Sequence, residues 1–123
     1  LGHLIETHCG YGPYLHGESV GTGMLFAAFL SKQEQLLDPS SWETIREFLE
    51  PKLRSITLRK LDYDLFSSLL LHDKKASREA VNFILLREIG SCFIQKEMPL
   101  DLIWKHFTGF CKEFPDLCQL TTD

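Results

Sequence analysis

The amino-acid sequence predicts a mainly α fold with one small β-hairpin. Apolar residues recur at helical spacing in three long stretches and again near residue 65. Helix start and stop signals flank those stretches, notably Asp38-Pro39-Ser40-Ser41, Pro51, Pro99 and Phe114-Pro115. Around Gly90 the pattern changes to two short apolar runs rich in Phe, Ile and Leu.

Residues 16 to about 32 form the first predicted helix, with Val20, Met24, Ala27, Ala28 and Leu30 as its apolar stripe. Gly17, Gly21 and Gly23 lie in its first turns. Each costs about 1 kcal/mol relative to alanine in a helix interior, so the group predicts close helix packing or close ligand approach. The next helix starts at Asp38-Pro39-Ser40-Ser41, where Ser40 and Glu43 have the spacing of a capping box. It runs to about Glu50, before Pro51, and presents Trp42, Ile45, Phe48 and Leu49. Residues 62–72 form another helix with Leu65, Phe66, Leu69 and Leu70 inward, followed by the polar patch His72-Asp73-Lys74-Lys75. The apolar runs at 82–86 and 92–95 fit a small hairpin about Gly90, with a buried helix turn as the alternative. A last amphipathic helix follows Pro99, with Leu100, Leu102, Ile103, Phe107 and Phe110 on one face. Phe114-Pro115 ends it, and no repeat, low-complexity tract or linker interrupts the chain.

The 123 residues are enough for one small domain, 1–123, with a single core. Hydrophobic content of 44% and charged content of 24% are ordinary globular values. The net charge of −4 lacks the basic footprint of a nucleic-acid partner. No apolar run reaches membrane-spanning length, and no signal-peptide pattern opens the sequence. A cytoplasmic location is the expectation. Cys9, Cys92, Cys111 and Cys118 form no C-x-x-C pair, which argues against a zinc knuckle. Reduced, mostly buried thiols are expected, with Cys111 and Cys118 spaced to share one helical face.

The chemistry concentrates near the start of the chain. His3, Glu6, His16 and Glu18 fall within sixteen residues, beside glycines that allow backbone to approach a ligand. Imidazole and carboxylate suit a borderline metal such as zinc. A lone histidine at a helix start more often caps the helix or packs in the core, and the fourfold combination shifts that balance. A metal still needs at least three protein ligands, and spacing alone does not choose them. Asp73-Lys74-Lys75 reads either as a solvated helix end or as an anion clamp. His8, His72 and His106 have no such context and read as surface or core residues.

Taken together, Gly2-His3-Leu4-Ile5-Glu6, Gly10-Tyr11-Gly12, Leu15-His16-Gly17-Glu18-Ser19-Val20, Gly23-Met24 and Ala27-Ala28 resemble the C-terminal domain of 3-dehydroquinate synthase. The resemblance continues at Asp73-Lys74-Lys75 and at Phe83-Ile84-Leu85-Leu86-Arg87-Glu88-Ile89-Gly90, and covers about residues 1 to 110. It implies the multihelical C-terminal domain of the dehydroquinate synthase-like fold with a small β-hairpin, N-terminally truncated, behind an absent NAD-binding domain. The family's enzymes are carbon–oxygen lyases of the shikimate pathway to aromatic amino acids. They convert 3-deoxy-arabino-heptulosonate 7-phosphate to 3-dehydroquinate and phosphate with NAD and zinc (or cobalt).

Carried over by position, the resemblance makes His16 a zinc ligand. It makes His3 the second histidine of the family's H-x-x-x-H pair, a catalytic-site residue that contacts substrate and not metal. Lys74 or Lys75 matches a phosphate-side lysine, and Glu6 and Glu18 match carboxylates expected to orient His3 and His16. None of these residues is expected to bind NAD. The first histidine of the pair and the glutamate zinc ligand would precede residue 1. After Lys75, residues 76–81 lack the family's usual glycine, and Asn82 stands near the place of its usual arginine. The expected partners are therefore a sugar phosphate, the missing NAD domain and, in the full enzyme, a second copy, with the 123 residues inactive alone. The alternatives are a sibling sugar-phosphate cyclase, a metal-dependent alcohol dehydrogenase relative, or a degenerate helical domain kept for association.

Overall fold

The computed structural model describes residues 1–10, 12, 14–71 and 80–123. Among them are α1 (Gly2–Cys9), α2 (His16–Gln33), α3 (Pro39–Leu49), a 3-10 turn at Glu50–Lys52, and β1 (Ile56–Arg59). Then follow α4 (Tyr63–Leu71), β2 (Ala80–Glu88), β3 (Ser91–Pro99), α5 (Leu100–Glu113) and β4 (Cys118–Thr121). The mainly helical reading and the hairpin both agree with this architecture.

Helix α2 is the centre of the packing, touching α1, α3, α5 and β2. Its buried side therefore differs from the stripe expected of it. Leu25, Phe26, Ala28, Phe29 and Leu30 are buried, whereas Val20 and Met24 face outward. A helix covered by neighbours on several sides has no single apolar face for periodicity to find. Ser31, near its end, donates to Ala27 O at 2.7 Å and accepts the Leu86 N–H of β2 at 2.9 Å. One hydroxyl therefore ties helix to hairpin.

Helix α3 starts differently from the expectation. Asp38, not Ser40, is the cap: Oδ1 accepts from Ser41 N–H at 2.7 Å, and Pro39 occupies the first turn. The Ser41 N–H bond, with the Ser41 hydroxyl beside it, holds the Asp38 carboxyl below its usual range. Glu43 instead pairs with Arg46, which lowers the glutamate and raises the guanidinium. Trp42 is buried as expected, but Phe48 is exposed, with Lys52 Nζ 4.0 Å from its ring centroid. In α4, Phe66 points inward and Leu65 is exposed.

The hairpin is longer than its two apolar runs, nine residues in each strand. Glu88 pairs with Ser91 around Ile89-Gly90, and Gly90 has the left-handed φ of 86° that this tight turn requires. A register shift lies between Val81 and Phe83. There Glu97, at φ 54°, donates its N–H to Asn82 Oδ1 at 3.2 Å. Asn82 thus closes the bulge opposite it.

Strands β1 and β4 pair in parallel, Ile56 opposite Cys118. Nothing in the sequence announces this pairing, because four-residue strands carry too little periodicity. It also corrects the cysteine reading. Cys111 is on α5 and Cys118 on β4, so they share no helical face, yet both are buried with sulfurs 3.3 Å apart. Cys92 is exposed and Cys9 half-buried.

The core is an aromatic cluster. Phe26 meets Phe107 and Phe110 edge-on at 5.4 and 5.5 Å, and Phe29 links Phe110 to Trp42. Phe66 brings in α4 by stacking on Phe107. Edge-to-face pairs add about 0.5–1.5 kcal/mol each beyond the area they bury.

Candidate functional site

Helix α1 supplies His3 and Glu6, one turn apart on the same side. Helix α2 opens with His16. Glycines bring the two helices together. A Cβ on Gly23 would lie 2.9 Å from Gly2 N, and one on Gly2 would lie 3.1 Å from Ser19 O. With residue 2 against 19–23 and residue 6 against 16, the helices run antiparallel. Close helix packing is thus what Gly23 provides, and a Cβ on Gly21 would meet Leu53 Cδ2 at 2.5 Å. A Cβ on Gly17 would meet no atom of the described residues within 4 Å outside its own helix backbone.

The result is a carboxylate–imidazole pair. Glu6 Oε1 lies 2.8 Å from His16 Nδ1. The Glu6 side chain is only 11% exposed, that of His16 78%. An ionised carboxylate can only accept, so Nδ1 carries the proton, which leaves Nε2 of this largely exposed ring outside the pair. This arrangement orients a histidine that binds a metal.

The other predicted residues divide differently. His3 is exposed on α1. Glu18 serves the helix start: Oε1 accepts from Leu15 N–H at 2.7 Å and lies 3.6 Å from Arg54 Nη1. Those bonds go to the backbone and to Arg54, a use the expectation of an orienting carboxylate did not include. Lys74 and Lys75, with His72 and Asp73, lie outside the described residues. His106 meets Glu34 at 3.1 Å, and His8 Nε2 meets Arg59 O at 2.7 Å.

Two supporting residues carry no mark in the sequence. Tyr14 OH accepts from Thr57 N–H at 3.1 Å, which fixes the approach to α2 onto β1. The Arg54 guanidinium lies 5.5 Å from the Tyr14 ring centroid while it faces Glu18. Tyr14 lies between the two glycine-bearing motifs, and nothing local points to its distant partners. A cavity of about 410 Å³ opens beside Tyr14, lined by His8, Cys9, Thr57 and Arg59 as well. Its lining includes neither His3 nor His16.

Among the described residues, no three His, Cys, Asp or Glu side chains gather as a complete metal site. The residues present do fit one arm of such a site: a single imidazole, oriented by a carboxylate, on a largely exposed ring. No described helix is long and apolar enough to cross a membrane.

Comparison with known proteins gives this pair a context. The family model for the 3-dehydroquinate synthase C-terminal region matches residues 1–76. The 3-dehydroquinate synthase of Acidithiobacillus ferrooxidans is 41% identical over 110 residues, covering 89% of this chain and 30% of that protein. The enzyme of that name from Acinetobacter baylyi is 32% identical over 103 residues, covering 84% of this chain and 28% of its own length. A crystal structure of 2-deoxy-scyllo-inosose synthase, complexed with carbaglucose-6-phosphate, NAD+ and Co2+, superimposes with a TM-score of 0.64 at 25% identity. That match covers 85% of this chain and 31% of the other. The chain therefore spans under a third of the length of these curated relatives. Since the family model takes in α1, α2 and the Glu6–His16 pair between them, the chain belongs to the 3-dehydroquinate synthase C-terminal family.

Proposed function

We propose that these residues are the metal- and substrate-binding C-terminal part of a 3-dehydroquinate synthase, inactive without an NAD-binding domain. The single observation that carries the reading is the Glu6–His16 pair, which sits within the matched region. The names of the relatives support the reaction, and the NAD+ and Co2+ bound by the inosose synthase support the cofactor class.

In this reading His16 gives Nε2 to the metal and Glu6 fixes the ring. His3 stands on the same side of α1 as Glu6 and contacts the substrate. Lys74 or Lys75 meets the phosphate as a point charge. Bound zinc would supply Lewis-acid polarisation of the hydroxyl being oxidised, and NAD the hydride chemistry. The remaining ligands come from residues beyond these 123, which fits the exposure of His16. The full enzyme is a cytoplasmic shikimate-pathway lyase and a homodimer. A sibling sugar-phosphate cyclase is the second reading, favoured by the inosose synthase likeness at 25% identity, but the Acidithiobacillus dehydroquinate synthase shares 41%.

Complementation tests the proposal. The chain is mixed with a separately expressed N-terminal domain of a dehydroquinate synthase, and NAD- and zinc-dependent phosphate release is followed. Activity that appears on mixing and vanishes with His16→Ala is the expected outcome, with 3-dehydroquinate as product. A different cyclised product would favour the sibling enzymes. Association without phosphate release would point to a non-catalytic helical domain.

A further inference from the structure

The geometry points to an intrachain redox site at Cys111 and Cys118, distant in role from the Glu6–His16 pair: we propose that the two thiols are oxidised to a disulfide by hydrogen peroxide. The sulfurs are already 3.3 Å apart. A bond requires them to close by about 1.3 Å. The fold holds them at this separation from both sides. Cys111 lies in the last turn of α5, and the chain then bends back, with Leu117 N–H and Cys118 N–H both donating to Phe114 O at 3.0 Å. Pairing of Cys118 with Ile56 fixes the second sulfur on the parallel β1–β4 ladder. Neither position depends on a long mobile side chain.

The two thiols differ in accessibility. Cys111 is 7% exposed and Cys118 fully buried. The hydrogen bond with Cys111, and then burial, push the Cys118 thiol up, so Cys118 is the less reactive of the two toward an oxidant. Cys111 is therefore the sulfur a small oxidant reaches. Its thiolate attacks one oxygen of the peroxide and the O–O bond breaks. The sulfur becomes a sulfenic acid and the other oxygen leaves as hydroxide, protonated to water. The Cys118 thiol then passes its proton to the departing oxygen as its sulfur attacks the Cys111 sulfur, and the S–O bond breaks with release of a second water. Each sulfur loses one electron overall, and one peroxide becomes two waters. The product staples the end of α5 to the strand that pairs with β1.

Peptide mapping tests this directly. Trypsin cuts after Lys105 and Lys112, so Cys111 and Cys118 fall in separate peptides, 106–112 and 113–123. The chain is treated with hydrogen peroxide, blocked with iodoacetamide in denaturant and digested. The expected result is peptides 106–112 and 113–123 joined, separated again by dithiothreitol. The link should persist in Cys92→Ser and disappear in Cys111→Ser. The peptide holding exposed Cys92, 88–96, reports that oxidant was present. Two results would overturn the proposal: alkylated Cys111 and Cys118 while Cys92 is oxidised, or peptide 113–123 joined to the Cys9 peptide instead.

Discussion

Glu6 and Asp38 are both carboxylates set by what they accept. Glu6 accepts from His16, and that proton commits the imidazole to one tautomer. Replacing Glu6 by glutamine keeps the volume and removes the charge. Zinc affinity of the two-domain assembly should then fall about 10–100-fold. Asp38 accepts from Ser41 N–H at the start of α3, and its carboxyl is held below the usual value. A lowered folded value means the stabilisation is full above the unfolded pKa and lost as pH falls through the folded one. The difference in thermal midpoint between the native chain and Asp38→Ala should therefore be present at neutral pH. It should shrink below about pH 3.9. A difference that held constant into acid would show that the charge plays no part. At this scale the sequence is partly legible. His16 and Glu6 stand out by residue type and spacing. That Glu18 binds Leu15 N–H and Arg54 is not readable, because Arg54 is brought there by the 3-10 turn and the approach to β1.

Helix pairs and strands obey steric rules that single residues do not show. Gly23 looks like a helix-weakening residue, yet its missing Cβ is what lets α1 lie against α2. Gly23→Ala gains about 1 kcal/mol of helix propensity and loses more, because the new atom meets Gly2 backbone. Its net effect should be destabilising by about 1–3 kcal/mol in urea unfolding. Gly109→Ala is the contrast. It lies within α5, where an added methyl would meet no atom of a neighbouring element within 4 Å among the described residues, so it should stabilise by about 1 kcal/mol. Equal effects from the two substitutions would contradict the close-packing account. Helices α3 and α5 are legible because each has a strong one-sided pattern and a proline start. The stripe on α2 is not, since four elements cover that helix. The β1–β4 pair leaves no local signal, since its partners are far apart in sequence and its strands short.

For the whole molecule, one aromatic side chain joins the layers. Phe26 contacts Phe83 of the hairpin and Phe107 and Phe110 of α5, all from α2. Phe26→Ala should cost about 3–5 kcal/mol, read as a lower denaturant midpoint. A loss below about 1 kcal/mol would mean the layers are held together elsewhere. The same core holds α2 in place, and with it His16. The fold thereby connects burial in the interior to the placement of one largely exposed imidazole at the surface. Zinc titration of the two-domain assembly, followed by competition with a chelator, examines that connection most directly. One tight zinc is expected for the native chain, weaker binding for Glu6→Gln and none for His16→Ala, with association of the domains unchanged. Zinc bound equally tightly by the native and His16→Ala assemblies would contradict it.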